Sequence, residues 1–182
     1  MLLEVRTVAD RAATNRALLD DLLDSVPASY WARRSPADAW TAQAHLQHLA
    51  TIESQVADEI ARIRTARDAA WLGGSPDPAT LNEARQSNLA AADGEPVRLL
   101  RERMRRNRDA LLAHLASLNP PDLELTLLFP GAVDPWGAPL RWDLRRYIAS
   151  WPAHDLEHAA AIRAAMATPP DLSTIAITRR LN

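Results

Sequence analysis

Apolar residues recur at three- and four-residue steps along most of the chain, and the two-residue alternation of a half-buried strand is nearly absent. Leu3, Val5, Val8, Ala12, Leu18 or Leu19, Leu22 and Val26 trace one face, predicting a first helix that stops before Pro27. Ala28 to Trp40 reads as a connection. Thr41 suits the N-cap of a second helix whose stripe runs through Leu49, Ile52, Val56, Ile60 and Ile63 and whose end falls near Gly73-Gly74. After Pro76 and Pro78, LNEARQSNLAAA predicts a short helix lying across the end of the others. Pro96 opens a third long helix carrying Val97, Leu100, Met104, Leu111, Leu115 and Leu118 on one face, closed by Asn119-Pro120-Pro121. Between 122 and 140 only LELTLLF offers a brief extended piece. A fourth long helix is expected from about Leu140 to Met166, with Leu144, Ile148, Trp151, Ile162 and Ala165 inward and a kink at Pro152.

Four long amphipathic helices joined by connections of very different lengths predict an all-α fold, a four-helix bundle with long crossover connections. Residues 1–168 are expected to form a single domain and 169–182 an irregular tail. At 182 residues the chain is long enough to bury a core without disulfide or metal staples, so a metal would serve function. There is no cysteine, which excludes disulfides, Cys-ligated zinc, iron–sulfur clusters and a protein thiol nucleophile. All 21 basic side chains are arginine, removing a Schiff-base or P-loop lysine. A net charge of −2 gives no general pull toward nucleic acid or membrane. No apolar run approaches the ~20 residues of a membrane span, and the N-terminus lacks the apolar core of a signal peptide, so a cytoplasmic protein with no membrane partner is expected.

Candidate chemistry concentrates in five histidines. His154 and His158 stand four residues apart in WPAHDLEHAAAI, on one edge of the apolar stripe. Such a pair has Cβ atoms ~6 Å apart and lets two imidazoles reach one ion at ~2.1 Å each. A facing helix could supply the third ligand from His45, nearer the middle of its stripe, or His48, about 60° off it. Spacing leaves that choice open, and it equally allows both histidines of the pair to bond ordinary polar neighbours. His114 reads as a surface or boundary residue.

WTAQAHLQHLATIE, Trp40 to Glu53, and HDLEH, His154 to His158, together resemble the DinB/YfiT-like superfamily of metalloenzymes. In WTAQAHLQHLATIE, Trp40 is followed by Thr41, by His48 eight residues on, by Leu49 and by Glu53. In HDLEH, His154 and His158 match paired histidines late in the last long helix, with Ile162 behind them. One departure is Ala44, where the family often carries an acid. The resemblance implies a divalent metal, commonly zinc or nickel, held by His48, His154 and His158, and it selects His48 over His45. It further implies a transferase acting on a small-molecule substrate with a low-molecular-weight thiol, such as bacillithiol, mycothiol or glutathione, and a homodimer.

Three neutral imidazoles would leave a divalent ion with uncompensated charge and an open position, which suits activation of either a thiol or a water. A metal-dependent hydrolase and a non-catalytic metal-binding or stress-response scaffold are therefore the alternatives. Asp155 is the best placed acid to orient a ligating histidine, Glu157 points away, and Arg141, Arg145 and Arg146 could hold an anionic tail. Trp40 and Trp151 read as packing residues or pocket walls. Arg98, Arg101, Arg105 and Arg108 share a helix face that could meet phosphate, but among acids and in a net acidic chain nucleic acid is not an expected partner.

Overall fold

The computed structural model describes residues 1–36, 38 and 40–168, so the expected tail 169–182 lies outside the described residues. The fold is mainly helical, with five α-helices among the described residues: α1 (Leu3–Ser25), α2 (Ala42–Ala66), α3 (Pro78–Ala91), α4 (Val97–Ala116) and α5 (Leu144–Ala167). Thr41 caps α2, its hydroxyl accepting from the Ala44 N–H at 3.0 Å. The short helix expected after Pro78 is α3, capped by Asp77. Pro96 stands at the N-cap of α4.

Two boundaries differ from expectation. The second helix ends at Ala66, not near Gly73-Gly74, because Arg67 turns into the left-handed region (φ 58) and closes the helix with an N–H bond to the Ile63 carbonyl. The last helix begins at Leu144 rather than Leu140, with Asp143 capping it through the Arg146 N–H. The residues released form strands. β1 (Ala69–Trp71) pairs in parallel with β2 (Thr126–Val133), which pairs antiparallel with β3 (Pro139–Asp143). The chain is thus not purely helical: LELTLLF does contribute an extended piece, and it recruits short neighbours too brief to show alternation. α5 runs through Pro152 as one helix, and the Asn15 amide donates to the Pro152 carbonyl at 2.6 Å.

α1 packs on α5 and α2 on α4, with α2–α5 and α1–α4 contacts completing the arrangement. The core has two parts. One gathers Val5 and Val8, Ile60 and Ile63, Leu111 and Leu115, and Leu144 and Ile148; the other gathers Leu19 and Leu22, Leu46 and Leu49, Leu100 and Met104, and Ala159 and Ile162. α1 and α5 run from the first cluster to the second and α2 and α4 the opposite way, so the link from α2 to α4 must cross the length of the fold. β1 and α3 lie in it.

Between the clusters sits one charged residue from each long helix. Arg16 of α1 binds both Asp155 oxygens, through Nε and Nη2 at 3.0 Å each, and its Nη2 also reaches Glu53 of α2 at 3.0 Å. Arg108 of α4 donates from Nε to Glu53 at 2.6 Å and from Nη2 to Asp155 of α5 at 2.9 Å. Glu53 and Asp155 are each 1% exposed and Arg16 8%. The charges balance two against two, which makes their burial tolerable. Removing one acid leaves an uncompensated buried cation. Glu53→Ala is expected to cost about 3–5 kcal/mol in urea unfolding, as against under 1 kcal/mol for loss of an exposed pair such as Arg98–Glu102.

Candidate metal centre

The register set by that charged layer brings α2 and α5 together at their histidines. Glu53 lies five residues after His48, and Asp155 lies between His154 and His158, so the Arg16 and Arg108 contacts fix both histidine-bearing segments at one level.

His48 Nε2 lies 3.3 Å from His154 Nε2, and His158 Nε2 lies 3.2 Å from the same atom. The ligand atoms of these three residues are all within 4.8 Å of one another. Three nitrogens placed ~2.1 Å from one tetrahedral ion would be about 3.4 Å apart. The spacing therefore fits a divalent ion with little movement, and His48, His154 and His158 could hold one. The three rings are partly buried.

His45 does not join them. It is 1% exposed, and its Nδ1 lies 2.9 Å from Nδ1 of His158, while its Nε2 lies 3.4 Å from Oδ2 of Asp38. If Nε2 of His158 offers a lone pair to an ion, its Nδ1 carries the proton and donates to His45, whose own proton then sits on Nε2 and faces the Asp38 carboxylate. One tautomer chain gives both rings consistent roles, although the 3.4 Å approach of His45 Nε2 to Asp38 is an ion-pair distance without hydrogen-bond geometry. His45, half of the pair that periodicity could not separate, meets the Nδ1 side of His158 and stays outside the group of three.

Asp155, the acid expected to orient a histidine, is committed to Arg16 and Arg108. Glu157 is exposed, as expected, and so is His114. Trp40 packs beside His45 and His48, with ring centroids 5.4 and 5.6 Å away, and Trp151 packs 4.9 Å from His154. Arg141 belongs to β3, Arg145 pairs with Glu4 and Glu124, and Arg146 lies over the Trp142 ring, so none of the three reaches the histidines. The arginine face of α4 also turns to acids: Arg108 to the buried layer, Arg101 to Asp24, Arg98 to Glu102. That leaves little of it to meet phosphate.

Burial lowers the proton affinity of all three clustered rings. His48 falls to about 4, helped by the Arg85 and His45 charges; His158 falls to about 3, helped by His48 and His45; His154 falls to about 2, helped by His158 and His48. Burial also lowers His45, with Asp38 opposing. The imidazoles are neutral at physiological pH, the form that binds metal.

A mainly helical fold that places three neutral imidazoles around one point between its second and last helices defines a candidate metalloprotein. The chain belongs to the DinB superfamily, whose family model matches residues 11–162. No curated protein matches the chain. No helix among the described residues is long and apolar enough to cross a membrane.

Two outcomes follow from this geometry. His45→Ala is expected to weaken metal binding about 10- to 100-fold while leaving the ligands in place, with His45→Asn, which retains an acceptor, recovering part of it; competition with a chromogenic chelator measures both. The second concerns pH. In chelator-treated protein the folded pKa values lie below the unfolded value of about 6.5, so stability is full above that value and is lost as pH falls below it. The urea midpoint of metal-free protein should drop between pH 7 and pH 5, and drop less when His48, His154 and His158 are all replaced by glutamine.

Proposed function

We propose that His48, His154 and His158 hold a divalent metal ion, zinc or nickel, through their Nε2 atoms. On this reading the four long helices are a four-helix bundle of the DinB/YfiT kind. The protein is then a transferase that joins a low-molecular-weight thiol, such as bacillithiol, mycothiol or glutathione, to an electrophilic small molecule. The observation that carries the metal reading is the convergence of three Nε2 atoms at 3.2 and 3.3 Å around His154. The thiol rests on the family resemblance of WTAQAHLQHLATIE and HDLEH, and a chain without cysteine must take its thiol from a cosubstrate.

When bound, a divalent ion lowers the proton affinity of a thiol or water in its open position, so that either becomes a nucleophile at neutral pH. The protein's own groups prepare for this. His45 and Asp38 fix the His158 tautomer, Trp40 and Trp151 wall the rings, and Asp155 is kept from the ion by Arg16 and Arg108. A hydrolase using water at the same position is the second reading, since no group in the cluster discriminates sulfur from oxygen. A homodimer accords with the resemblance, and a cytoplasmic location with the sequence pattern.

Elemental analysis of the purified protein should find one divalent ion per chain and its loss in His154→Ala. The loaded protein should then accelerate conjugation of 1-chloro-2,4-dinitrobenzene by one of the three thiols at least about tenfold over His154→Ala, an effect well within that of a lowered nucleophile pKa. Thiol-independent cleavage of an activated ester would favour the hydrolase. Stoichiometric metal with neither activity would leave a binding protein, and no metal uptake would overturn the site.

A further inference from the structure

A cavity of about 440 Å³ opens beside His154, a volume suited to a small organic ligand. Phe129 of β2, Trp142 of β3, and Tyr147 and Trp151 of α5 wall one side of it. The other side is α3. Pro78, Leu81, Asn82 and Arg85 all line the cavity, and their spacing of three, four and seven residues makes them a single face of that helix.

α3 is seated there by close approach and not by a core of its own, since none of its residues is fully buried. At Gly73 (φ +78) an added Cβ would lie 3.2 Å from Leu81 Cδ1, and at Gly131 (φ +71) 3.2 Å from the Pro78 ring. Both glycines adopt a backbone that other residues resist, and both let α3 settle against the neighbouring chain. The helix therefore brings its inner face over the aromatic wall.

That face carries Arg85. Arg62 pairs with Glu59 and Arg145 with Glu4. Arg85 makes no ion pair with any described carboxylate, Glu157 of the same cavity included. It lines the same cavity as His154, so the guanidinium shares that cavity with the histidine cluster. An uncompensated cation at the rim of an aromatic cavity is complementary to an anion on an apolar body. A planar fork suits a carboxylate best.

We propose that this cavity binds a substrate with an aromatic or branched apolar body and a carboxylate. Arg85 takes the carboxylate, Trp142 and Phe129 hold the body, and the other end of the molecule is presented toward His154. Only that last orientation rests on the metal-dependent function proposed above; the binding itself does not require the ion.

The test is calorimetric titration of 4-phenylbutanoate and of its neutral amide into chelator-treated and metal-loaded protein. In both forms the wild type should bind the acid about tenfold more tightly than the amide, the increment of a charge-assisted hydrogen bond. Arg85→Gln should remove that preference and leave amide binding unchanged, whereas Trp142→Ala should weaken both ligands. Equal binding of acid and amide, or no binding of either at millimolar concentration, would overturn the proposal. So would an acid preference that appears only with metal and survives Arg85→Gln, because the carboxylate would then be on the ion. Failure of the metal reading shows separately, as absent metal uptake, and leaves the titrations of metal-free protein fully interpretable.

Discussion

Arg16, Glu53, Arg108 and Asp155 hold one another out of water where the two apolar clusters meet, one residue from each long helix. The apolar side chains above and below would tolerate a helix sliding by a turn, since leucine replaces leucine at little cost. The charges would not. A slip of any one helix leaves a buried carboxylate or guanidinium unpaired, at a cost of several kcal/mol. The layer contributes less to net stability than a well-packed apolar one would, but it allows only one relative height for the four helices.

That single height places the histidines. α2 carries His48 little more than one turn from Glu53, and α5 carries His154 and His158 on either side of Asp155, so the pairing of the acids with Arg16 and Arg108 is also the alignment of the imidazoles. A metal cluster drawn from two helices needs its nitrogens within a few tenths of an ångström of their places. Here an ion would not need to gather the helices, because the charged layer has done so. Asn15 and Asn107, neighbours of the two arginines, add bonds to the Pro152 and Ala50 carbonyls and pin the same level.

Much of this was legible in the sequence, and the exceptions have physical causes. Four long stripes at helical spacing announced the long helices, and Thr41 announced the start of α2. The extended character of LELTLLF was visible, but β1 and β3 escaped because three and five residues carry too few alternations to stand against a helical background. His154 and His158 were visible from their spacing. The choice between His45 and His48 was not, since both face inward and only the resemblance preferred His48; the structure shows why neither angle was decisive, one ring meeting the convergence point and the other meeting the back of His158. The charged layer did leave a signal. Arg16 falls in the stripe of Ala12 and Leu19, Glu53 between Leu49 and Val56, Arg108 between Met104 and Leu111, and Asp155 before Ala159, each an ion at a core position. Two of each sign at such positions is a balanced set, and Asp155, flanked by histidines in sequence, finds its partners on α1 and α4.

The commitment of Asp155 has a chemical consequence. A carboxylate this close to three imidazoles would ordinarily either bind the ion or accept a ligand's N–H, and in both roles it would pass negative charge to the metal and soften its pull on a bound thiol or water. Two arginines take up both of its oxygens, so the charge is spent within the layer. The ring that meets His158 is instead His45, with the Asp38 carboxylate one step further out. Three neutral ligands, a neutral neighbour and the Arg85 cation nearby give a site of net positive character once a divalent ion is present. Such a site favours the anionic form of whatever enters the open position.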